Sequence, residues 1–255
     1  AKPFAPGDVV VISGGARGVT AAVAEVLAAS CQPTLVLLGR SPLPGEEPAW
    51  LQGLEGEAAI KRALMQHAEA RPTPKELQET HDRILAAREI QHTLARIETT
   101  GAKALYCPVD VRNADAVKQV IDSVRADRGP IRGLIHGAGV LADRHIEDKT
   151  REQFDRVYGT KVEGLRALLD ATQDDPLTHL VLFSSSTARY GRVGQVDYAM
   201  ANEVLNKMAQ REAARRPACR VVSVNWGPWA GGMVTPALAK VFESEGIGLI
   251  DLDAG

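Results

Sequence analysis

Cysteine is scarce in this 255-residue chain: Cys31, Cys107 and Cys219 stand far apart, with no paired spacing. An odd number at such distances excludes a disulfide framework, and no close pair is available for zinc or dithiol chemistry. Reduced core thiols in a cytoplasmic protein are the expectation. No apolar run approaches the roughly 20 residues that cross a bilayer, and no secretory leader is expected. Thirty basic against 32 acidic residues, a formal charge of −2, give no basic surface for nucleic acid. Internal repeats and low-complexity tracts are missing too. What remains, 45% hydrophobic and 24% charged residues, suits one globular domain over residues 1–255 with a sizeable core.

Short apolar runs at Val9–Ser13, Thr34–Leu38, Ala104–Pro108, Gly133–His136, Leu180–Ser184 and Arg220–Val224 are each followed by a helical pattern. Such runs suit parallel strands covered on both faces. Right-handed crossovers then predict an α/β, Rossmann-like, doubly wound parallel sheet with its ligands at the carboxyl ends of the strands. Residues Trp50–Thr100 are far longer than a crossover needs and read as a helical insertion after the second strand. A helix is expected over Gly56–Ala70. A second follows, with Thr73, Pro74 and Glu76 as its cap and Leu77, Ile84, Leu85, Leu94 and Ile97 as its apolar side.

Ser13-Gly14-Gly15-Ala16-Arg17-Gly18-Val19-Thr20 leaves the first strand and opens a helix, the context a phosphate-cradling loop requires. Gly14 and Gly18 permit close backbone approach, with Gly15 and Val19 in the same turn. Thr20 occupies the place of the usual third glycine, which predicts a wider gap between helix and strand. At the end of the second strand, 26 residues after Gly14, an NAD enzyme would carry an acid; here stand Arg40 and Ser41. Arg40 and Arg17 offer guanidinium groups to a 2′-phosphate, so NADPH is expected over NADH. Asp110 and Val111 are expected beside the adenine. His136, Gly137, Ala138 and Gly139 end the fourth strand along the cofactor's path, with His136 in a structural part.

Lys161, Ser185, Tyr198 and Asn202 complete the pattern. A tyrosine hydroxyl can protonate an alkoxide as hydride arrives, provided a nearby cation draws its pKa down from about 10. Lys161 sits in the apolar stripe of a helix capped by Thr150 and Gln153 and can supply that charge. Ser185 lies 13 residues before Tyr198 and can hold the substrate oxygen; Asn202, one helical turn after Tyr198, shares its face. Singly these read as a snorkelling lysine, a turn serine and a polar ridge. Together they point to carbonyl reduction. Beyond the sixth strand, Trp229 and Met233 belong to a glycine-flanked segment leading into a helix over Pro236–Glu245. That segment suits a mobile cover over nicotinamide and substrate, or equally a fixed surface helix.

These residues resemble the short-chain dehydrogenase/reductase superfamily, and more closely the ketoreductase domains of polyketide synthases. The wider superfamily has lysine four residues after the tyrosine; here Asn202 stands there and the lysine is Lys161, as in the polyketide ketoreductases. The insertion and the strings Gly-Gly-Ala-Arg-Gly-Val-Thr, His-Gly-Ala-Gly-Val-Leu-Ala-Asp and Tyr-Gly-Thr-Lys are similar to the ketoreductase of bacterial omega-3 polyunsaturated fatty acid synthases. The resemblance implies reduction of a 3-oxoacyl chain, held on an acyl carrier protein, to the 3-hydroxyacyl form. It gives Lys161, Ser185, Tyr198 and Asn202 the roles argued above. Leu141-Ala142-Asp143 keeps two residues of a Leu-Asp-Asp string associated with 3R alcohols, and Tyr190 stands where the opposite class often has tryptophan; 3R is expected. The chain is also expected to be a piece of a larger synthase, lacking a final helix and strand. The alternatives are a free-standing reductase of small carbonyls and an idle nucleotide-binding scaffold.

Overall fold

The computed structural model describes residues 3–43, 45–68, 70–232 and 234–255. Six strands, β1 (Val9–Ser13), β2 (Thr34–Gly39), β3 (Lys103–Pro108), β4 (Ile131–His136), β5 (His179–Ser185) and β6 (Arg220–Trp226), form one parallel sheet in the order β3-β2-β1-β4-β5-β6. The order reverses beside β1, between the halves that run outward to β3 and to β6. That is where a doubly wound sheet opens a crevice at its carboxyl edge. The strand residues of β1 are all buried, as a strand covered on both faces requires.

The helices are α1 (Gly18–Cys31), α2 (Glu57–His67), α3 (Pro74–Thr99), α4 (Ala114–Arg128), α5 (Arg151–Ala171), α6 (Thr187–Tyr190), α7 (Val196–Arg215) and α8 (Pro236–Ser244). One core layer packs Val9, Val11, Val36 and Leu134 of the sheet against Ile121 of α4, Leu165 and Leu168 of α5 and Leu205 of α7. The opposite layer packs Val10, Ile12, Leu35 and Leu37 against Ala24 and Ala28 of α1 and Ile90 and Ile97 of α3. Both capping boxes read from the sequence are formed, at Thr73 with Glu76 and at Thr150 with Gln153.

The insertion is shorter than the sequence pattern implies. Ile90, Thr93 and Ile97 are buried, and the carboxyl half of α3 covers the sheet as the ordinary crossover from β2 to β3. The extra material is the segment before it. There Leu51, Ile60 and Ala63 make a small core of their own with Leu54, Leu64 and Ile84. Arg88 ties it down, donating to the carbonyls of Leu51 and Leu54 and pairing with Glu47. The apolar side of α3 also differs from expectation: Leu85 is exposed, while His81 and Ala86 are buried. Helix α2 stops at His67, whose ring stacks on Trp50 at 4.2 Å. Strands β5 and β6 each run on past their predicted ends, which puts Ser185 on the last residue of β5 and Asn225 and Trp226 within β6. Among the described residues no helix is long and apolar enough to cross a membrane, and the three cysteines are free.

Candidate active site

A cavity of about 1150 Å3 opens at the carboxyl edge of the sheet. Its nucleotide half is walled by Gly14, Arg17, Gly18 and Val19 from the first loop, Arg40 and Ser41 after β2, Val111 after β3, and Gly137, Ala138 and Gly139 after β4. Gly14 has φ +73° and a Cβ there would stand 3.0 Å from the Ala138 backbone, so the two loops approach too closely for a side chain. A Cβ on Gly137 would lie 2.6 Å from the Thr20 side chain. The Thr20 side chain thus packs against the glycine that follows β4.

Three of the expected cofactor residues do not reach this wall. Gly15 packs inward, where a Cβ would meet Ile12 and Leu37. Asp110 is held by Arg112 through a bidentate pair at 2.6–3.1 Å, whose hydrogen bonds and charge keep the carboxylate below its usual range, and it faces a separate shallow depression. His136 is fully buried: Nδ1 meets the Ser13 hydroxyl at 2.7 Å and Nε2 the Lys161 carbonyl at 2.9 Å. Burial, helped by the Lys161 charge, lowers its pKa to about 3, so the ring is neutral and ties β1, β4 and α5 together.

The other half of the cavity is lined by Lys161, Ser185 and Tyr198, each from a different element. Lys161 is 3% exposed on α5; its Nζ donates to the Phe183 carbonyl at 2.9 Å and lies 5.5 Å from the Tyr198 ring centroid. Desolvation lowers the lysine pKa to about 8. Ser185 Oγ accepts from the Thr187 N–H at 3.1 Å, fixing the strand end. Asn202 is fully buried behind the cavity and donates to the Tyr198 carbonyl at 2.8 Å, while its Oδ1 has no partner among the described residues. The pKa of Tyr198 is raised by burial; proximity to Asn202 and Ser185 pulls the other way and the Asp143 charge adds to the rise. The expected lowering toward neutrality is not met, because in this buried setting desolvation of a phenolate outweighs its polar neighbours.

One arrangement had no signal in the sequence. Lys149 Nζ meets Asp197 Oδ2 at 2.8 Å and donates to the Ala142 carbonyl, and the two side chains are 4% and 1% exposed. Asp197 Oδ1 in turn accepts the Tyr198 N–H at 2.9 Å, in the first turn of α7. A buried charge pair thus fastens the loop after β4 to the start of the helix that carries the tyrosine. Lysine and aspartate 48 residues apart look like any other surface charges until the fold is known.

Of the substrate-side candidates, Asp143 accepts from Gln195 Nε2 at 2.8 Å, and it is Gln195 that lines the cavity. Tyr190 stands on the rim, 88% exposed. Trp229 is buried edge-on against Trp226 at 4.8 Å. Met233 lies outside the described residues. Helix α8 is tethered across the rim by Arg192, which pairs with Glu245 at 2.9 Å and stacks over the Phe242 ring.

The family model of the KR domain matches residues 8–231. The chain belongs to that ketoreductase family. One large component of a polyunsaturated fatty acid synthase, from a Thraustochytrium species, is 40% identical over 258 residues, 97% of this chain and 9% of that protein. The polyketide synthase PksN of Bacillus subtilis is 31% identical over 91% of this chain and 4% of its own length. The chain thus spans under a tenth of these two multidomain relatives. Among solved structures, a ketoreductase domain from the bacillaene assembly line is similar with a TM-score of 0.75 at 27% identity, covering 100% of this chain and 53% of that one. An N-terminal ketoreductase from the macrolactin assembly line gives 0.74 at 28%, covering 98% and 41%. The resemblance read from the sequence is therefore correct at the level of family, and the ketoreductase domain is an oxidoreductase of the Rossmann-like type.

Proposed function

We propose that this ketoreductase domain reduces a 3-oxoacyl thioester, carried on the phosphopantetheine arm of an acyl carrier protein, to the 3-hydroxyacyl form. It would act in the cytoplasm beside other domains of one synthase. The observation that carries the reading is the convergence of Lys161, Ser185 and Tyr198 on one cavity, with Asn202 locked behind the tyrosine. The cavity fits NADPH: glycine backbone at Gly14 and Gly18 leaves room for a pyrophosphate, and Arg17, Arg40 and Ser41, on the same lining, would hold the 2′-phosphate. When bound, that cofactor supplies the hydride for the carbonyl carbon.

The protein's own part is the proton and the geometry. Tyr198, its pKa raised by burial, keeps its proton at neutral pH and is in the acid form that a developing alkoxide requires. The Ser185 hydroxyl, at the end of β5, is placed to hold the substrate oxygen beside it. As the proton leaves, the Lys161 ammonium lowers the cost of the phenolate it faces, and the phenolate recovers a proton from solvent. Tyr190 and Trp229, which line the cavity, are proposed to face the acyl chain, with Asp143 acting through the Gln195 side chain that it holds there, and the 3R alcohol as product.

The test follows NADPH oxidation with a 3-oxoacyl pantetheine thioester and with the same acyl group on a carrier protein. Tyr198→Phe should lower turnover by about 10²- to 10⁴-fold with cofactor binding unchanged. A higher kcat/KM on the loaded carrier supports the carrier reading, and equal values for both substrates refute it. A folded protein that binds NADPH and turns over neither would be the idle scaffold.

A further inference from the structure

Helix α3 looks in the sequence like part of an insertion, yet one of its faces runs along the phosphate loop. Three side chains at helical spacing hold that loop and the helix it opens. Arg96 pairs with Glu25 of α1 at 2.8 Å. Thr93, buried, donates its hydroxyl to the Ala16 carbonyl at 3.1 Å. Glu89, which lines the cavity, grips the loop twice: Oε2 accepts from Arg17 Nε and Oε1 from the Gly18 N–H, both at 2.7 Å. Helix α1 has no side-chain cap from Arg17 and no acid in its first turn. Glu89, 71 residues away in sequence, provides the missing acceptor.

The same carboxylate determines where Arg17 points. With Nε engaged, the guanidinium keeps its terminal N–H groups for a ligand. Its charge acts on the Tyr106 hydroxyl, which donates to the Ser41 carbonyl at 2.8 Å, next to Arg40. Arg17 shares its wall of the cavity with Arg40, Ser41 and Tyr106, at the end of β2, where a 2′-phosphate and a 2′-hydroxyl would be told apart. We propose that Glu89 is a positioning residue for cofactor selection: it holds Arg17 in the orientation that receives the 2′-phosphate, so that NADPH preference depends on helix α3. A long, free arginine loses rotamer freedom when it binds, and orientation in advance removes that cost from binding. Arg17 and Glu89 are 50% and 41% exposed, so their mutual attraction is weak and the effect is one of orientation. The inference rests on the reading of Arg17 as a 2′-phosphate ligand.

Dissociation constants for NADPH and NADH, measured by titration calorimetry on the full chain, test it without reference to turnover. Glu89→Gln leaves one uncharged acceptor oxygen for two donors, the Gly18 N–H and Arg17 Nε; Glu89→Ala removes both acceptors. Each should lower the preference for NADPH over NADH by about three- to tenfold, whatever the loosened loop does to both cofactors in common. Arg17→Ala should weaken NADPH more, and the Arg17→Ala/Glu89→Ala double variant should match Arg17→Ala alone, because Glu89 acts through Arg17. Thr93→Val, which loosens the loop without touching Arg17, should affect both cofactors alike. An unchanged NADPH-to-NADH ratio in both Glu89 variants, beside an altered one in Arg17→Ala, would overturn the inference alone. So would tighter binding of both cofactors, the mark of a carboxylate that merely repels phosphate. An unchanged ratio in Arg17→Ala would instead remove the reading of Arg17 on which the inference stands.

Discussion

At the nucleotide end of the cleft, the groups facing a ligand are glycine backbone and half-exposed ions such as Arg17 and Glu89. At the catalytic end the charges are taken almost wholly out of water: Lys161 on the cavity wall and, off that wall, the Lys149–Asp197 pair at the start of the tyrosine helix. Water screens the first set, and a lost contact there changes which ligand binds. Nothing screens the second, and a lost partner there leaves a buried charge, which the fold tolerates poorly. Specificity and stability are thus written in different regions of one cavity.

The largest effect should come from breaking the buried pair. Lys149→Met leaves Asp197 without its cation and should cost about 3–5 kcal/mol of stability. The exposed Lys118–Asp122 pair on α4 gives the contrast: Lys118→Met should cost under about 1 kcal/mol. Thermal unfolding of both variants decides the matter, and similar losses would erase the distinction. Because Asp197 also holds the Tyr198 N–H, turnover of any folded Lys149→Met protein should fall as well.

Next in size is a pH effect peculiar to the catalytic end. Lys161 has a pKa of about 8 in the folded protein, against an ordinary lysine value of 10.5. Between those values the unfolded chain holds the proton and the folded one does not, so stability rises with pH across that window. The gain is roughly 3 kcal/mol in all, and below about pH 8 the buried charge is a standing cost. Turnover should move the opposite way, falling as pH passes through about 8 and the ammonium beside Tyr198 disappears. Lys161→Met should abolish the stability rise; if the rise persists, another group carries it.

The sequence disclosed the two ends of the cleft by different kinds of signal, for a physical reason. Glycines, strand ends and helix caps act through the backbone of their own neighbourhood, so their order along the chain is their order in space. Gly14, Gly18, Arg40 and both capping boxes are legible on that ground, and the sheet follows from the apolar runs. Lys161, Ser185, Tyr198 and Asn202 are legible only as a registered set. Lys149 with Asp197 and Glu89 with Arg17 are side-chain pairs 48 and 72 residues apart, and no local pattern marks them. The length of the insertion is not legible because one helix, α3, both closes the insertion and serves as the crossover; its periodicity does not say where one task ends. Gly15, Asp110 and His136 fall in motifs whose other members line the cavity, yet each turns away from it.

A smaller effect tests the packing of Thr20 against Gly137. Gly137→Ala should cost about 1–3 kcal/mol, since its Cβ would lie 2.6 Å from Thr20. Thr20→Ala in the same chain should recover much of that loss, because it removes the atoms in collision and leaves only a Cβ at 3.2 Å. Additive losses in a melting experiment would show that the two loops can separate, and that the close approach is not what glycine serves there.

The smallest effect belongs to Arg40, exposed at the rim of the nucleotide half. Arg40→Ala should weaken NADPH relative to NADH by about three- to tenfold, and that preference should shrink as ionic strength rises in the unmodified protein. Lys161 supplies the opposing measurement on the same molecule: buried, it should hold its titration near pH 8 across the same salt series. A cofactor preference that ignores salt would mean that Arg40 is drawn into a drier setting when nucleotide binds. A Lys161 titration that follows salt would mean that the catalytic end opens to water. Either result would replace the contrast between a screened and an unscreened region with motion of the loops between them.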